Sequence, residues 1–183
     1  LCTRAFGQSA VRDEPRIDLD YNSQADGNPE VTEKRGDLLV RGMWERSKHC
    51  VIDVRITDIN QPYQITKDPH KLLGEHEKNK RKKYLEACLK NRRNFSPFIV
   101  STDGLLGKEA DLLLRGIAEK LMLKWHLPYS QIINYVRTRI SIAITRATHL
   151  CIRGSRVPAT TISNKYPIWE DRAGTVSYTH LRA

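Results

Sequence analysis

Up to about residue 67 short apolar runs alternate with polar, turn-rich stretches, and longer helical periodicities follow. Leu38-Leu39-Val40 and Val51 to Thr57 are two of these runs. Alternation in the second puts Asp53 and Arg55 on one face of a strand and Ile52, Val54 and Ile56 on the other. Asp37, preceded by Gly36, heads the first run. Met43 to Lys48 is long enough only for a hairpin connection, and Gly42 ends the first strand, so the pattern predicts strands over 37–41 and 50–57. Val11 to Ile17 holds one short strand in an otherwise polar segment, 1–35, with Asp26-Gly27-Asn28-Pro29 as a loop. Ile59 to Asp68, with Asn60 and Pro62, reads as a second loop.

Asp68-Pro69 supplies an N-cap and a first-turn proline, which predicts a helix to about Arg93. Leu72, Leu73, His76, Tyr84, Leu85, Cys88 and Leu89 give it an apolar side, and its middle is basic. Pro97 to Thr102 is a buried strand closed by Asp103-Gly104. The turn Asp103 to Gly107 suits a tight turn, with phosphate approach at the next helix as the alternative. Lys108 to His126 carries a core stripe of Leu114, Ala118, Leu121 and Trp125, and Leu127-Pro128 stops it. A last helix runs from near Ser130 to Ile152, with Ile132, Val136, Ile140, Ala143, Ala147 and Leu150 on its buried side and Gly154 as C-cap. The expected fold class is α/β: a small mixed central sheet flanked by helices, ending in a long C-terminal helix. The expected division is a polar N-terminal extension over 1–30, one domain over 31–156, a polar tail over 157–175, and a non-native read-through tail over 176–183, whose sequence resembles translated adapter.

The chain has 183 residues, enough for one ordinary domain, and a 39% hydrophobic share that supports a core. No apolar run approaches the ~18 residues of a membrane span, so no membrane partner is expected. Thirty-one Lys and Arg against 21 acids give a net charge of +10 and a pI near 9.6. That balance favours a polyanion, with nucleic acid ahead of an anionic membrane surface. Much of the charge lies between Lys78 and Arg93, where Glu86 is the only acid. Lys78, Arg81, Lys82, Lys83, Arg92 and Arg93 are the candidate nucleic-acid contacts; the alternative is a solvated helix face. Arg137, Arg139, Arg146, Arg153 and Arg156 add charge along and after the last helix.

Cys2, Cys50, Cys88 and Cys151 are widely spaced, with no zinc-ligand pattern. Cys50 and Cys151 read as reduced core residues, which suits an intracellular compartment. There is no Walker loop, G-x-G-x-x-G or G-x-S-x-G, so nucleotide-binding and serine-hydrolase readings lack support. Asp37 and Asp53 at one sheet edge, with Arg55 beside them, make a hard-cation site facing a phosphate. The alternative is a solvated sheet face carrying an ion pair.

The order of these elements resembles the core of the PD-(D/E)xK nuclease superfamily, in particular the restriction-like endonuclease region downstream of the reverse transcriptase in LINE-type retrotransposons. The matching residues are Glu14-Pro15, Gly36-Asp37, Ile52-Asp53-Val54, Lys83-Tyr84-Leu85, Pro97-Phe98-Ile99-Val100 and Gly104. The stretch from Arg35 to Arg156 also looks like retroelement-associated open reading frames of microbial eukaryotes. The resemblance implies a magnesium- or manganese-dependent endodeoxyribonuclease, with metal ligands Asp37 and Asp53 and catalytic residues Asp37, Asp53, Arg55 and Lys80. It implies DNA and RNA–DNA intermediates as partners, together with the reverse transcriptase domain of the same polyprotein, and nuclear localisation. Two positions depart from the pattern. Gly36 replaces the usual proline, with an expected cost in stiffness alone. Arg55 replaces the usual lysine, which moves the lysine role to Lys80, with Lys82 as runner-up. The alternative reading is a catalytically inactive nucleic-acid-binding domain of a retroelement protein.

Overall fold

The computed structural model describes residues 1–21, 31–62, 64 and 66–154. A short helix α1 (Cys2–Phe6) and one 3-10 turn lead into β1 (Val11–Asp13). A ribbon of β2 (Arg16–Tyr21) and β3 (Val31–Arg35) follows, then the hairpin of β4 (Leu38–Arg41) and β5 (His49–Thr57). Helix α2 (Pro69–Lys90) crosses to β6 (Asn94–Ser101), and α3 (Lys108–Trp125) and α4 (Tyr129–Gly154) complete the fold. The main sheet has the order β1-β4-β5-β6, antiparallel except for the parallel β5–β6 pair. It is a mixed four-stranded sheet flanked by helices, as the pattern predicts.

The pleat sorts the core into two layers. Leu39, Val51 and Phe95 face α2, where Tyr84, Ala87 and Cys88 meet them. Val40, Cys50, Ile52, Phe98 and Val100 face α3 and α4, against Leu114, Ile117, Leu121, Ile132 and Val136. Leu1, Cys2, Ala5 and Phe6 also pack on that second layer. Among the described residues, no helix is long and apolar enough to cross a membrane.

The caps follow ordinary chemistry. Asp68 accepts the N–H of Lys71 at 3.0 Å, and Pro69 opens α2. Gly107, at the N-cap of α3, has no side chain to offer. Glu77 reaches across from α2 instead, and its carboxylate accepts the N–H of Glu109 at 2.9 Å. A Cβ on Gly107 would collide with the Glu77 carboxylate and stand 3.2 Å from the Ile99 carbonyl oxygen. Gly107→Ala is therefore expected to destabilise the fold by about 2 kcal/mol, lowering the thermal midpoint by about 6 °C for a chain of this size. An unchanged midpoint would show that Glu77 moves aside at no cost.

Four sequence expectations need correction. Val11 to Ile17 is not one strand: Glu14, at φ 45°, and Pro15 turn the chain out of the main sheet, separating β1 from β2. Strand β3 was not anticipated, because Val-Thr-Glu-Lys-Arg lacks apolar alternation and forms only a two-stranded ribbon. Ala143 is exposed, and Leu150 is 52% exposed; the buried stripe of α4 is Ile132, Val136 and Ile144. With 26 residues against the 18 of α3, α4 outruns its partner, by about 12 Å at 1.5 Å per residue. Cys151 is exposed on that overhang, whereas Cys50 is in the core. The expectations for 157–175 and 176–183 lie outside the described residues.

Candidate active site

Asp37 and Asp53 meet where β4 begins and β5 continues past it. Leu38 pairs with Ile52, and the Asp37 N–H donates to the Ile52 carbonyl at 3.1 Å, so Asp37 stands opposite Asp53 across the antiparallel pair. Beyond this point β5 has no β4 partner. The Asp37 carboxylate fills the gap and accepts the Val54 N–H through Oδ2 at 2.5 Å. The Glu14 N–H donates to the Asp37 carbonyl at 2.9 Å, which ties the Glu14-Pro15 pair to the same edge.

The two carboxylates have different surroundings. Asp37 is exposed; Asp53 is 4% exposed and faces α2. The Lys80 ammonium is ion-paired with Asp53 Oδ2, which meets no other polar group among the described residues. Burial pushes the Asp53 carboxyl above the usual carboxylate range; the negative charge of Asp37 adds to this, and Lys80 and then Lys83 oppose it. Desolvation therefore outweighs the pairing in setting the direction of this shift.

Gly36 is needed for this geometry. Its N–H donates to the Pro15 carbonyl at 3.0 Å, and an added Cβ would overlap Val51 Cγ1. Proline here would remove a used donor and overfill the α2-side core. Gly36→Pro is expected to lower stability by about 3 kcal/mol in chemical denaturation. A loss below about 0.5 kcal/mol would show that the edge tolerates the ring.

The basic stretch divides by helical rotation. At 100° per residue, Lys80 and Lys83 fall on the flank of α2 that carries Tyr84 and Ala87, toward Asp53. Lys83 Nζ lies 4.9 Å and Lys80 Nζ 5.7 Å from the Tyr84 ring centroid. Lys78, Arg81 and Lys82 fall on the other flank, with Leu85 and Leu89. Arg81 is held bidentate by Glu109, its Nη2 2.7 Å from Oε2. Arg93 donates to the Arg16 carbonyl at 2.8 Å, tying β2 to the end of α2. Arg92, at φ 52°, is exposed in the turn after α2. Arg55 is exposed on the same face of β5 as Asp53; the runner-up Lys82 points away from the carboxylates.

The sequence pattern places His76 on the apolar side of α2. It is buried one helical turn before Lys80, and neither ring nitrogen has a hydrogen-bond partner among the described residues. Burial first, and then the positive charge of Arg55, hold it below the usual histidine range. The sequence signal was its four-residue spacing from Lys80. Thr57, two residues beyond Arg55, is likewise buried with its hydroxyl unpartnered among the described residues.

Among the described residues, no group of three or more His, Cys, Asp or Glu side chains is gathered as a metal cage. The donor set still fits magnesium, which keeps several waters and takes only one or two carboxylates. Asp37 and Asp53 supply two such groups, and Asp53 Oδ2 already meets a cation, that of Lys80. The chain matches no known protein family and no curated protein.

Proposed function

We propose that this chain carries a metal-dependent DNA endonuclease domain of a retrotransposon polyprotein, which nicks target DNA by hydrolysing a phosphodiester. The observation that supports it most is the meeting of Asp37, Asp53 and Lys80 at the head of the β4–β5 hairpin. Three residues far apart in the chain converge there, and one is a buried carboxylate at a cost to stability.

In this reading Asp37 and Asp53 would hold magnesium or manganese, which when bound supplies Lewis-acid activation for hydrolysis. Lys80, fixed against Asp53 from α2, carries positive charge to the position where the phosphate develops extra negative charge. Arg55 stays protonated throughout and contributes charge stabilisation without proton transfer. Lys83 and Arg92 grip backbone phosphates without reading sequence. The reverse transcriptase domain of the same polyprotein, DNA and RNA–DNA intermediates are the partners, and the nucleus is the place of action. Single-turnover nicking of supercoiled plasmid in magnesium or manganese tests the reading: open-circular product that chelator abolishes is expected.

One observation favours a second reading, a catalytically silent nucleic-acid-binding domain. The Lys80 ammonium already occupies Asp53 Oδ2, and no third acidic ligand joins the pair among the described residues. Salt-dependent DNA binding with no nicking under any divalent cation is the outcome that selects it.

A further inference from the structure

Basic side chains from four separate elements gather where β4 ends and β5 begins. Val11, Val40 and Cys50 pack against the α3–α4 layer. Alternation turns their neighbours Arg12, Arg41 and His49 to the opposite face of the sheet. The register keeps these three together. Arg41 stands directly across from His49, and Arg12, paired with Leu39, is diagonal to Arg41. All three are exposed. The turn after α2 adds Arg93, which donates to the Arg16 carbonyl at 2.8 Å. Partial burial first, and then the charges of Arg41, Arg93 and Arg12, hold His49 below the usual histidine range, so all three guanidinium groups act on this one ring.

Among the described residues, none of Arg12, Arg41 and Arg93 has a carboxylate partner. Glu45, in the β4–β5 connection, is taken by Lys48 and Asn94. Glu14 is ion-paired with Arg35. Asp13 shares the α3-facing side of β1 with Val11. Like charges at facing positions on a sheet repel one another, and a bound anion would remove that repulsion. His49 precedes Asp53 by four residues on β5, roughly 13 Å along the strand, with the buried Val51 between them. The basic cluster is therefore separate from the carboxylate pair.

We infer that Arg12, Arg41, His49 and Arg93 form a second phosphate-binding surface, which docks the backbone of duplex DNA away from the carboxylates. Guanidinium groups are planar forks that match phosphate oxygens. Arg93 spends one N–H on the Arg16 carbonyl and keeps its other donors. A row of phosphates answers several cations held at fixed spacing, which a single small anion does not. Insertion into a lipid surface needs apolar side chains beside the charge, and β1 and β4 present no large exposed hydrophobic residue. Contacts of this kind carry no base information. The inference rests on a nucleic-acid partner, which both readings above share, and not on hydrolysis.

The test uses the whole chain and a labelled DNA duplex in calcium, followed by anisotropy across a salt series and by the ring resonances of His49. Binding that shifts the His49 ring is expected. The double variant Arg12→Gln/Arg41→Gln should flatten the slope of log K against log salt by about 1.8 and weaken binding by about thirtyfold at 0.15 M salt. Its thermal midpoint should not fall, because repulsion is removed. Arg12→Lys/Arg41→Lys should keep the slope, and Asp53→Asn should bind as the parent does. A parent that fails to nick DNA yet loses binding in the glutamine variant would defeat the nuclease reading and support this one. An unmoved His49 ring, an unchanged slope in the glutamine variant, or an equal loss in Lys78→Ala/Lys82→Ala would overturn the inference. So would displacement of the duplex by millimolar inorganic phosphate, which would mark a small-anion site, or by phosphatidylserine vesicles, which would assign the cluster to a membrane surface.

Discussion

Asp53→Asn is expected to lose magnesium-dependent nicking by about a thousandfold, some 4 kcal/mol of barrier, while DNA affinity is kept and thermal stability rises. All three outcomes have one physical source. Asparagine keeps the shape but not the charge that holds a divalent cation, and it removes repulsion between the protein and phosphate. Asp53 binds its proton more tightly folded than unfolded, because it is buried beside Asp37. Between the ordinary carboxylate value and that raised folded value the native state holds more protons, so stability falls as pH rises through this window. Asparagine removes the penalty, with a gain of about 1 kcal/mol at neutral pH of the kind seen when a functional charge is deleted. Thermal scans at pH 4 and pH 7 check the sign: the variant's advantage should be larger at pH 7. A variant less stable than the parent at both values would mean that the Lys80 pair outweighs desolvation. Lys80→Ala should slow nicking less, and Arg55→Lys should be tolerated.

The paired substitutions Lys80→Ala/Lys83→Ala and Lys78→Ala/Lys82→Ala should behave differently toward duplex DNA in calcium, where binding is measured without turnover. Lys80 and Lys83 lie beside Asp53, whose proton affinity both lower. Two lost phosphate contacts should flatten the slope of log K against log salt by about 1.8, equivalent to about thirtyfold in affinity at 0.15 M salt. The loss should be the same for every DNA sequence, because phosphate contacts carry no base information. Lys78 and Lys82 are exposed on the flank of α2 turned away from Asp53, so their removal should leave the slope nearly unchanged. Equal slopes for the two pairs would show that the whole basic stretch acts as one undirected surface charge.

Much of the frame is legible in the sequence because local chemistry and burial agree there. Alternation in Val51 to Thr57 identifies which side chains share a face, and the structure keeps that division. Asp68-Pro69 starts α2 as capping chemistry requires. Leu114, Ala118 and Leu121 line the inner side of α3. What alternation leaves open is what covers each face. Arg55 stays exposed while Asp53, two residues away, lies beneath Lys80. The apolar period of α4 continues through Leu150, although α3 ends too soon to cover it.

The convergence of the candidate residues is legible in outline. Asp37 and Asp53 follow from the hairpin register, and Lys80 from its place one turn before Tyr84. Tertiary facts were not visible. Gly36 looked like a tolerated departure, but it carries a used N–H against a packed valine. Nothing in the sequence shows that Arg81, a candidate phosphate contact, is ion-paired with Glu109. Trp44 sat in a polar connection and gave no signal of its contact with β6. Its indole N–H donates to Ser96 Oγ at 2.8 Å, across 52 residues of sequence.

The central claim is that Asp37 and Asp53 support metal-dependent hydrolysis of DNA. Single-turnover nicking of supercoiled plasmid, with the parent chain and Asp53→Asn purified side by side and assayed in magnesium and manganese, tests it most directly. The expected result is chelator-sensitive nicking by the parent and none above background by the variant, with equal DNA binding in calcium. Equal nicking by both proteins, or none by the parent while DNA binding is intact, would contradict it.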